Sequence, residues 1–483
     1  MRVLEIIFSV VVVIATCFSI WGKWSKKIYA WLFSSVLVFG LLHLFIDHAR
    51  IQMVGVYTIG VLVLIGLFYR IKAANGVRKH VILRVISTII ALAFLAVSVV
   101  LSSVLPVFTM PNPTGEYGIG ETTKVLVDSS RSETFTKNPT DKRNVAVSVW
   151  YPTDKSAQKK KEKESYPDSL GEAISLVFNL PKQLFSHLSL VKTHVVKNAT
   201  ISNKKKNYPV VLFSPGIRST RYQSMSAIEE LVSRGYIVVG MDHPYTSAKV
   251  TLANGKNAYY QADPKFSTSK GLYDYNVKSV AVRAKDVSFV LDKLESWNKN
   301  NSKFTGKMDL DKVGMFGHSF GGATTAEALA QDKRIKAGVS LEGGFWGTVS
   351  SKGVTQPFMY IMSGNTAESL KPNSKIKEKV SYEEFEPDLK SAMSKSTNDT
   401  YYLTVDKFYH QSFTEIAFIS PYLFARGLTP YHTVDITRTY VSDFFDQYLE
   451  GKTEPLLQKK SSSYPEVKFD ATYTKKANST SNE

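Results

Sequence analysis

Chemistry is concentrated in one short stretch of the sequence, Gly317-His318-Ser319-Phe320-Gly321-Gly322, which has the pattern Gly-x-Ser-x-Gly. A serine hydroxyl attacks a carbonyl only when the backbone lifts it clear and a neighbouring base takes its proton. The flanking residues supply the bend. Lys312-Val313-Gly314-Met315-Phe316 reads as a strand and Gly322 to Ala330 as a strong helix former, so Ser319 stands at a strand-turn-helix junction. The chemistry such a junction permits is acyl transfer through a covalent serine intermediate.

A base must come from elsewhere. Two of the nine histidines, His410 and His432, follow Ser319 in the chain, which is the order that places a base beside this kind of elbow. His410 lies in a loop, Lys407 to Phe413, directly after a predicted strand, whereas His432 falls at the start of a helical pattern; His410 is the preferred base. His318, adjacent to the nucleophile, cannot fold back onto it and reads as a packing or hydrogen-bonding residue beneath the turn, and His243, in Asp242-His243-Pro244, reads as structural. The acid that orients the imidazole should lie between Ser319 and His410. Glu342, at the end of the next predicted strand and beside Gly343-Gly344, is the first choice, with Glu368 and Asp406 as rivals. Two backbone amides would hold the oxyanion: that of Phe320 at the elbow, and that of Ile217 in Phe213-Ser214-Pro215-Gly216-Ile217, where Pro215 has no N–H to offer.

These groups need a scaffold. Short apolar runs at Val145 to Trp150, Val210 to Phe213, Ile237 to Met241, Lys312 to Phe316, Ala337 to Leu341, Phe358 to Met362 and Tyr401 to Val405 alternate with helical patterns near Gln223 to Ser233, Val277 to Glu295, Gly322 to Ala330 and Thr433 to Tyr448. That alternation predicts an α/β domain with a mostly parallel sheet covered by helices, over residues 107–451. Within it, residues 153–207 read as an insertion and a candidate lid. Ser169-Leu170-Gly171-Glu172 has the form of a capping box, and Leu170, Ala173, Ile174, Val177 and Phe178 repeat with helical spacing, giving an apolar stripe that either packs on the core or touches a lipophilic ester. The lysine runs 159–161 and 204–206 read as solvated flanks. Residues 452–483 are polar, rich in Lys and Ser, and expected to be a mobile tail.

Residues 1–106 are of another kind. The chain carries 60 Lys+Arg against 42 Asp+Glu, a net charge of +18, yet its first 110 residues are dominated by apolar runs. Val3 to Ile20, Tyr29 to Phe45, Ile51 to Tyr69 and Val81 to Leu105 each approach the roughly 20 residues a helix needs to cross a bilayer, which predicts a bundle of four transmembrane helices. Lys23, Lys26 and Lys27 fall between the first two segments, and Arg70, Lys72, Arg78 and Lys79 between the last two. Basic short loops stay in the cytoplasm, so both termini and the α/β domain are expected on the extracellular side of a cell membrane, in a multi-pass protein.

Taken together, Val149-Trp150-Tyr151-Pro152, Phe213-Ser214-Pro215-Gly216, Gly317-His318-Ser319-Phe320-Gly321-Gly322, Ser340-Leu341-Glu342-Gly343-Gly344 and His410-Gln411-Ser412-Phe413 resemble, in order and context, the platelet-activating factor acetylhydrolase family of serine-dependent lipases. The resemblance covers roughly Pro113 to Leu449. It implies an α/β-hydrolase fold with nucleophile, acid and base at Ser319, Glu342 and His410 and oxyanion donors at Ile217 and Phe320. One departure stands out: the family usually carries Asp where this chain has Glu342.

The expected activity is hydrolysis of carboxylic esters, lipophilic or phospholipid-type, with a short or modified acyl chain. Such a mechanism calls for no cofactor and no metal, and a single cysteine, Cys17, leaves neither an intrachain disulfide nor a thiolate cluster. The expected partners are the ester substrate and membrane lipids; nucleic acid fits the charge less well for a domain outside the cell. Two other classes share the same residues: an acyltransferase or peptidase on this scaffold, since a triad does not choose its acceptor, and a catalytically silent membrane receptor or assembly factor that kept the fold.

Overall fold

The computed structural model describes residues 1–72, 81–158, 161–301, 303–371, 373–376 and 385–476. Arg78 and Lys79 of the second basic loop, Lys159 and Lys160 of the first lysine run, and the last seven residues of the polar tail lie outside them.

Ten strands form one mixed sheet. In chain order they are β1 (Gly118–Ser132), β2 (Lys142–Thr153), β3 (Val195–Lys197), β4 (Tyr208–Ser214), β5 (Ile237–Asp242), then, after a small ribbon of β6 (Lys249–Thr251) and β7 (Asn257–Tyr259), β8 (Met308–His318), β9 (Ile335–Leu341), β10 (Phe358–Ser363), β11 (Thr400–Val405) and β12 (Val467–Phe469). Across the sheet the order is β12-β11-β10-β9-β8-β4-β5-β2-β1-β3. From β5 to β11 every neighbour is parallel, while β2 runs antiparallel to both β1 and β5. The central strands are buried on both faces, which is why they read as unbroken apolar runs. Helices Ser269–Asn300 and Phe320–Gln331 pack on one face, through Val287, Leu291 and Leu329. Met225–Ser233 and Pro430–Glu450 cover the other, through Ile228, Tyr440 and Phe444.

Each predicted strand and helix is present, with ends shifted by a few residues. Three strands of the sheet, and the β6–β7 ribbon, were not foreseen. β1 is long but polar along half its length; β3 and β12 have three residues each. β12 corrects the expectation of a mobile tail. Residues 452–476 fold back onto the domain: Leu457 and Val467 are buried, β12 pairs antiparallel with β11, and Lys475 bridges Thr400. The capping box is also corrected. The helix starts at Asp168 after Pro167, with no side-chain cap, and Glu172 instead meets Lys249 at 3.3 Å. Its stripe is buried at Leu170, Ala173 and Ile174, while Val177 stays exposed.

The four apolar helices of the N-terminal part are Val3–Trp21, Lys26–Leu42 (continued by a π-turn, His43–Asp47), Val54–Lys72 (preceded by a 3-10 turn, Ile51–Met53) and Val81–Val104. All four are long and apolar enough to cross a membrane. At one end of the bundle the buried Glu5 carboxylate takes the Arg50 guanidinium at 2.7 Å, and Arg50 also donates to the carbonyl of Leu105 at 2.7 Å. Two charges that would each be costly alone thus satisfy one another and fix where the chain leaves the fourth helix.

Because β12 covers the edge of β11 and buries Leu457 and Val467, removal of residues 452–483 should lower the Tm of the full chain in detergent by roughly 5–10 °C, given about 1.5–3 kcal/mol for each apolar side chain uncovered. An unchanged Tm would mean that the segment is only laid on the surface.

Candidate active site

Ser319 sits where β8 passes into helix Phe320–Gln331, with φ 57° and ψ −124°. A side chain rarely adopts such a backbone, and surrounding structure must impose it. Here the Ser319 amide donates to the carbonyl of Leu341 at the end of β9, 2.8 Å away, and the turn is pressed against the loop after β4. A Cβ at Gly321 would overlap the carbonyl of Ser214, and one at Gly317 the carbonyl of Gly321, so only glycine fits the two x-Gly positions. Of the nine described non-glycine residues with positive φ, Ser319 is one, and two others, Glu342 and Arg218, each line a hollow with it.

His410 opens a 3-10 turn beyond β11, and its Nε2 lies 2.8 Å from the Ser319 hydroxyl. Its Nδ1 faces Glu342 Oε1 at 3.2 Å. A carboxylate can only accept, so Nδ1 carries the proton and Nε2 presents its lone pair to the hydroxyl. Glu342 is held in turn: the Ser363 amide donates to its Oε2 at 2.7 Å, and the Thr366 hydroxyl to Oε1. Burial pushes the Glu342 carboxyl up, but the facing His410 and these hydrogen bonds outweigh it and hold the group below its ordinary value, hence ionised. The rivals are elsewhere. Glu368 pairs with Lys371 at 2.6 Å and Asp406 with Lys468 at 2.5 Å, both largely exposed, and His432 faces Glu466 at 3.1 Å.

Ile217 and Phe320 line one hollow of 530 Å³ together with Ser319, Glu342 and His410. As the first residue of its helix, Phe320 has an amide with no intrahelical acceptor. The Gly216 amide is already used, donating to Gln223 Oε1 at 2.9 Å; among the described residues nothing accepts from Ile217. Gln223 continues the connection, its Nε2 donating to His318 Nδ1 at 2.9 Å, and His318 Nε2 donates to the carbonyl of His410 at 2.7 Å. The ends fix these directions, since an amide can only donate and a carbonyl only accept. His318 is therefore neutral, and burial together with His410 depresses its pKa to about 3.

Residues 103–449 match the family model of platelet-activating factor acetylhydrolase, isoform II. The chain belongs to that family. It is 26% identical over 395 residues to a probable 1-alkyl-2-acetylglycerophosphocholine esterase of Arthroderma benhamiae, a match covering 78% of this chain and 97% of the fungal one. A platelet-activating factor acetylhydrolase of Cavia porcellus is 24% identical over 282 residues, and there the match covers 53% of this chain and 60% of the relative. Among solved structures, the ferulic acid esterase from Streptomyces cinnamoneus superposes with a TM-score of 0.60 at 26% identity, covering 75% of this chain and 99% of the esterase. The fold is α/β-hydrolase-like, and this acetylhydrolase-family member is a carboxylic ester hydrolase.

Several residues around the family's serine elbow were not singled out from sequence. Gln223 is one. A second group lies behind the loop after β4, around His243, which the sequence already marks as structural: the buried Ser214 hydroxyl meets His243 Nε2 at 3.0 Å, and His243 Nδ1 meets Asp286, not singled out, at 2.8 Å. This has the connectivity of a triad, but Ser214 and His243 are fully buried and Asp286 is engaged by Arg143 at 2.7 Å, so it serves to pin the loop. Arg283 completes it. Its guanidinium, 1% exposed, donates to the carbonyl of Pro215 at 2.8 Å and to the Thr246 hydroxyl at 2.9 Å, and it stacks on the Phe320 ring, 4.9 Å from the centroid. One side chain thus touches both segments that carry the free amides.

If Arg283 sets their spacing, Arg283→Met should lower kcat by ~10–100-fold with KM little changed, and Arg283→Lys should recover part of it, because a displacement of about 1 Å at the reacting atoms costs on that order. Steady-state kinetics on a soluble ester, with Tm measured alongside, would count against this if KM rose while kcat held.

Proposed function

We propose that this chain is a membrane-anchored serine hydrolase of phospholipid-like esters with short or modified acyl chains, and that its catalytic group is Ser319, His410 and Glu342 with the amides of Ile217 and Phe320. The observation that carries the reading is the continuous contact from Glu342 through His410 to the Ser319 hydroxyl, 3.2 Å and 2.8 Å, at the wall of a hollow that Ile217 and Phe320 also line. The substrate class rests on family membership and on the names of the relatives, esterases of acetylated ether phospholipids.

In this mechanism His410 Nε2 takes the Ser319 proton as the oxygen attacks the ester carbonyl. Negative charge develops on the carbonyl oxygen, where the two amides stabilise it, while Glu342 stabilises the imidazolium. Collapse expels the alcohol, which receives the proton from His410. Water then enters, loses a proton to the same nitrogen, and releases the acid from Ser319. Each role demands only groups already in place, and no cofactor enters.

Fluorophosphonate labelling and hydrolysis of an ester panel graded by acyl length test this directly. Ser319→Ala should abolish labelling and lower kcat by at least ~10³-fold, Glu342→Gln by ~10³–10⁴-fold through the wrong imidazole tautomer, and short acyl chains should be preferred. A Ser319→Ala protein that retained ester hydrolysis would remove the assignment.

The four apolar helices support anchoring, and the lysines flanking the first loop support a domain outside the cell. Protease added to intact cells should cut the hydrolase domain; complete protection, with cutting after lysis, would reverse the orientation.

A further inference from the structure

Ser319 stands between two hollows. The larger, of 530 Å³, is lined by Trp346, Phe385 and Leu272 and by the acidic groups Glu342 and Asp263; no Lys or Arg lines it among the described residues. The smaller, of 220 Å³, runs along Gly216 to Ser219 from Ser319 and His410 toward Val177 and Tyr260, and it contains one cation, Arg218.

Arg218 is placed with unusual firmness for a partly exposed arginine. It follows Ile217 directly and adopts φ 60°, a conformation that costs any residue with a Cβ energy and that surrounding structure must impose. Its own amide donates to the carbonyl of Thr246 at 2.8 Å, so the backbone is tied to the His243–Thr246 turn that Arg283 also grips. The guanidinium lies over the Tyr260 ring, 4.8 Å from its centroid, and the ring is anchored by the Tyr260 amide on Ala248, 3.0 Å away. Among the described residues the guanidinium meets that ring and no carboxylate. The Tyr260 hydroxyl, shielded from solvent, has no partner among them either. A stacked guanidinium spends its face on the ring and leaves its N–H edge free, and that edge is a fork matched to two oxygens of one phosphate or carboxylate. Asp263 also lines this hollow and is the opposing charge in it; it disfavours a bare anion and favours one whose molecule also carries a cationic group.

We propose that Arg218 and Tyr260 form a subsite for an anionic group, a phosphodiester or a carboxylate, on the same ester whose carbonyl is attacked by Ser319. This deepens the reading of Ser319 as nucleophile and rests on it. With its one cation in the smaller hollow, the subsite selects esters by charge close to the scissile bond, and the larger hollow, with Trp346, Phe385 and Leu272, takes the longer apolar part of the substrate.

The full chain in detergent is assayed with three soluble esters of equal acyl length, each below its micellar concentration: one with a neutral alcohol, one with a glycerophosphodiester alcohol, and one with the neutral alcohol and a carboxylate at the end of the acyl chain. In Arg218→Gln the ratio of kcat/KM for one anionic ester to that for the neutral ester should fall ~10–100-fold, the size of a lost charge-assisted bidentate contact. Arg218→Lys, a point charge without the fork, should fall between. Loss confined to the phosphodiester places the alcohol side in the small hollow, and loss confined to the carboxylate places the acyl side there; both support the subsite. An equal loss on all three esters, or no change in either ratio, overturns it. If the unaltered protein hydrolyses none of the three, the nucleophile reading itself has failed, an outcome distinct from an unchanged ratio.

Discussion

The separation between the Ser319 hydroxyl and the His410 imidazole is the quantity on which the site depends, and a buried neutral histidine governs it. His410 lies on a loop 91 residues beyond Ser319, and a loop held only by its own turn would let the imidazole wander by more than a hydrogen bond tolerates. His318 removes that freedom by donating to the backbone of His410 from the residue next to Ser319. Charge on His318 would break the arrangement, because protonation would turn the Gln223 contact from acceptance into a clash of donors. Burial prevents it, holding the pKa far below neutrality. The same chain of hydrogen bonds ends on the Gly216 amide, so the His410 loop and the loop bearing the Ile217 amide are positioned by one connected structure.

The serine elbow, the central strands and the helix after the elbow were legible in the sequence because each is a local pattern: glycine where no Cβ fits, apolar runs where both faces are buried, and Ala-rich sequence at the helix. The base could be ranked by chain order, and the acid by its place at a strand end. What escaped was set by partners distant in sequence. β3 and β12 each have three residues and exist because β1 and β11 present an edge to them; nothing in Val467-Lys468-Phe469 announces a strand. In the outer half of β1 burial alternates from Val125 to Ser129, but the residue types do not follow it, since Val125 and Val127 are exposed and Asp128 is buried. Arg283 and Asp286 sit on a helix face whose apolar members declare the core, yet their charge was readable only as solvated until the loop after β4 was laid against them. The misjudged helix start at 169 has a similar cause, since the chain enters from Pro167 and needs no serine cap.

The N-terminal bundle and the hydrolase domain touch where the sequence alone had only a polar residue to show. Gln52, buried in the turn before the third apolar helix, donates to the carbonyl of Leu184 at 2.6 Å and meets His187 Nδ1 at 3.0 Å, both in the 153–207 insertion. The same insertion sends Val177 to the rim of the smaller hollow. It is therefore fixed at one end to the apolar helices and at the other borders the site, and the Glu5–Arg50 pair holds the departing chain at Leu105 beside that junction.

Glu342 shows how a departure from the family's usual aspartate is absorbed. The residue takes φ 54°, while its amide donates to the carbonyl of Ile361 at 2.8 Å. The longer arm then folds back toward the end of β10, where the Ser363 amide and Thr366 hydroxyl fix both oxygens. The cost of an unfavourable dihedral, on the order of 1–3 kcal/mol, is offset by hydrogen bonds that an ionised carboxylate makes strongly. The Glu342 carboxylate is thus fixed by hydrogen bonds from the end of β10 and the helix that follows it.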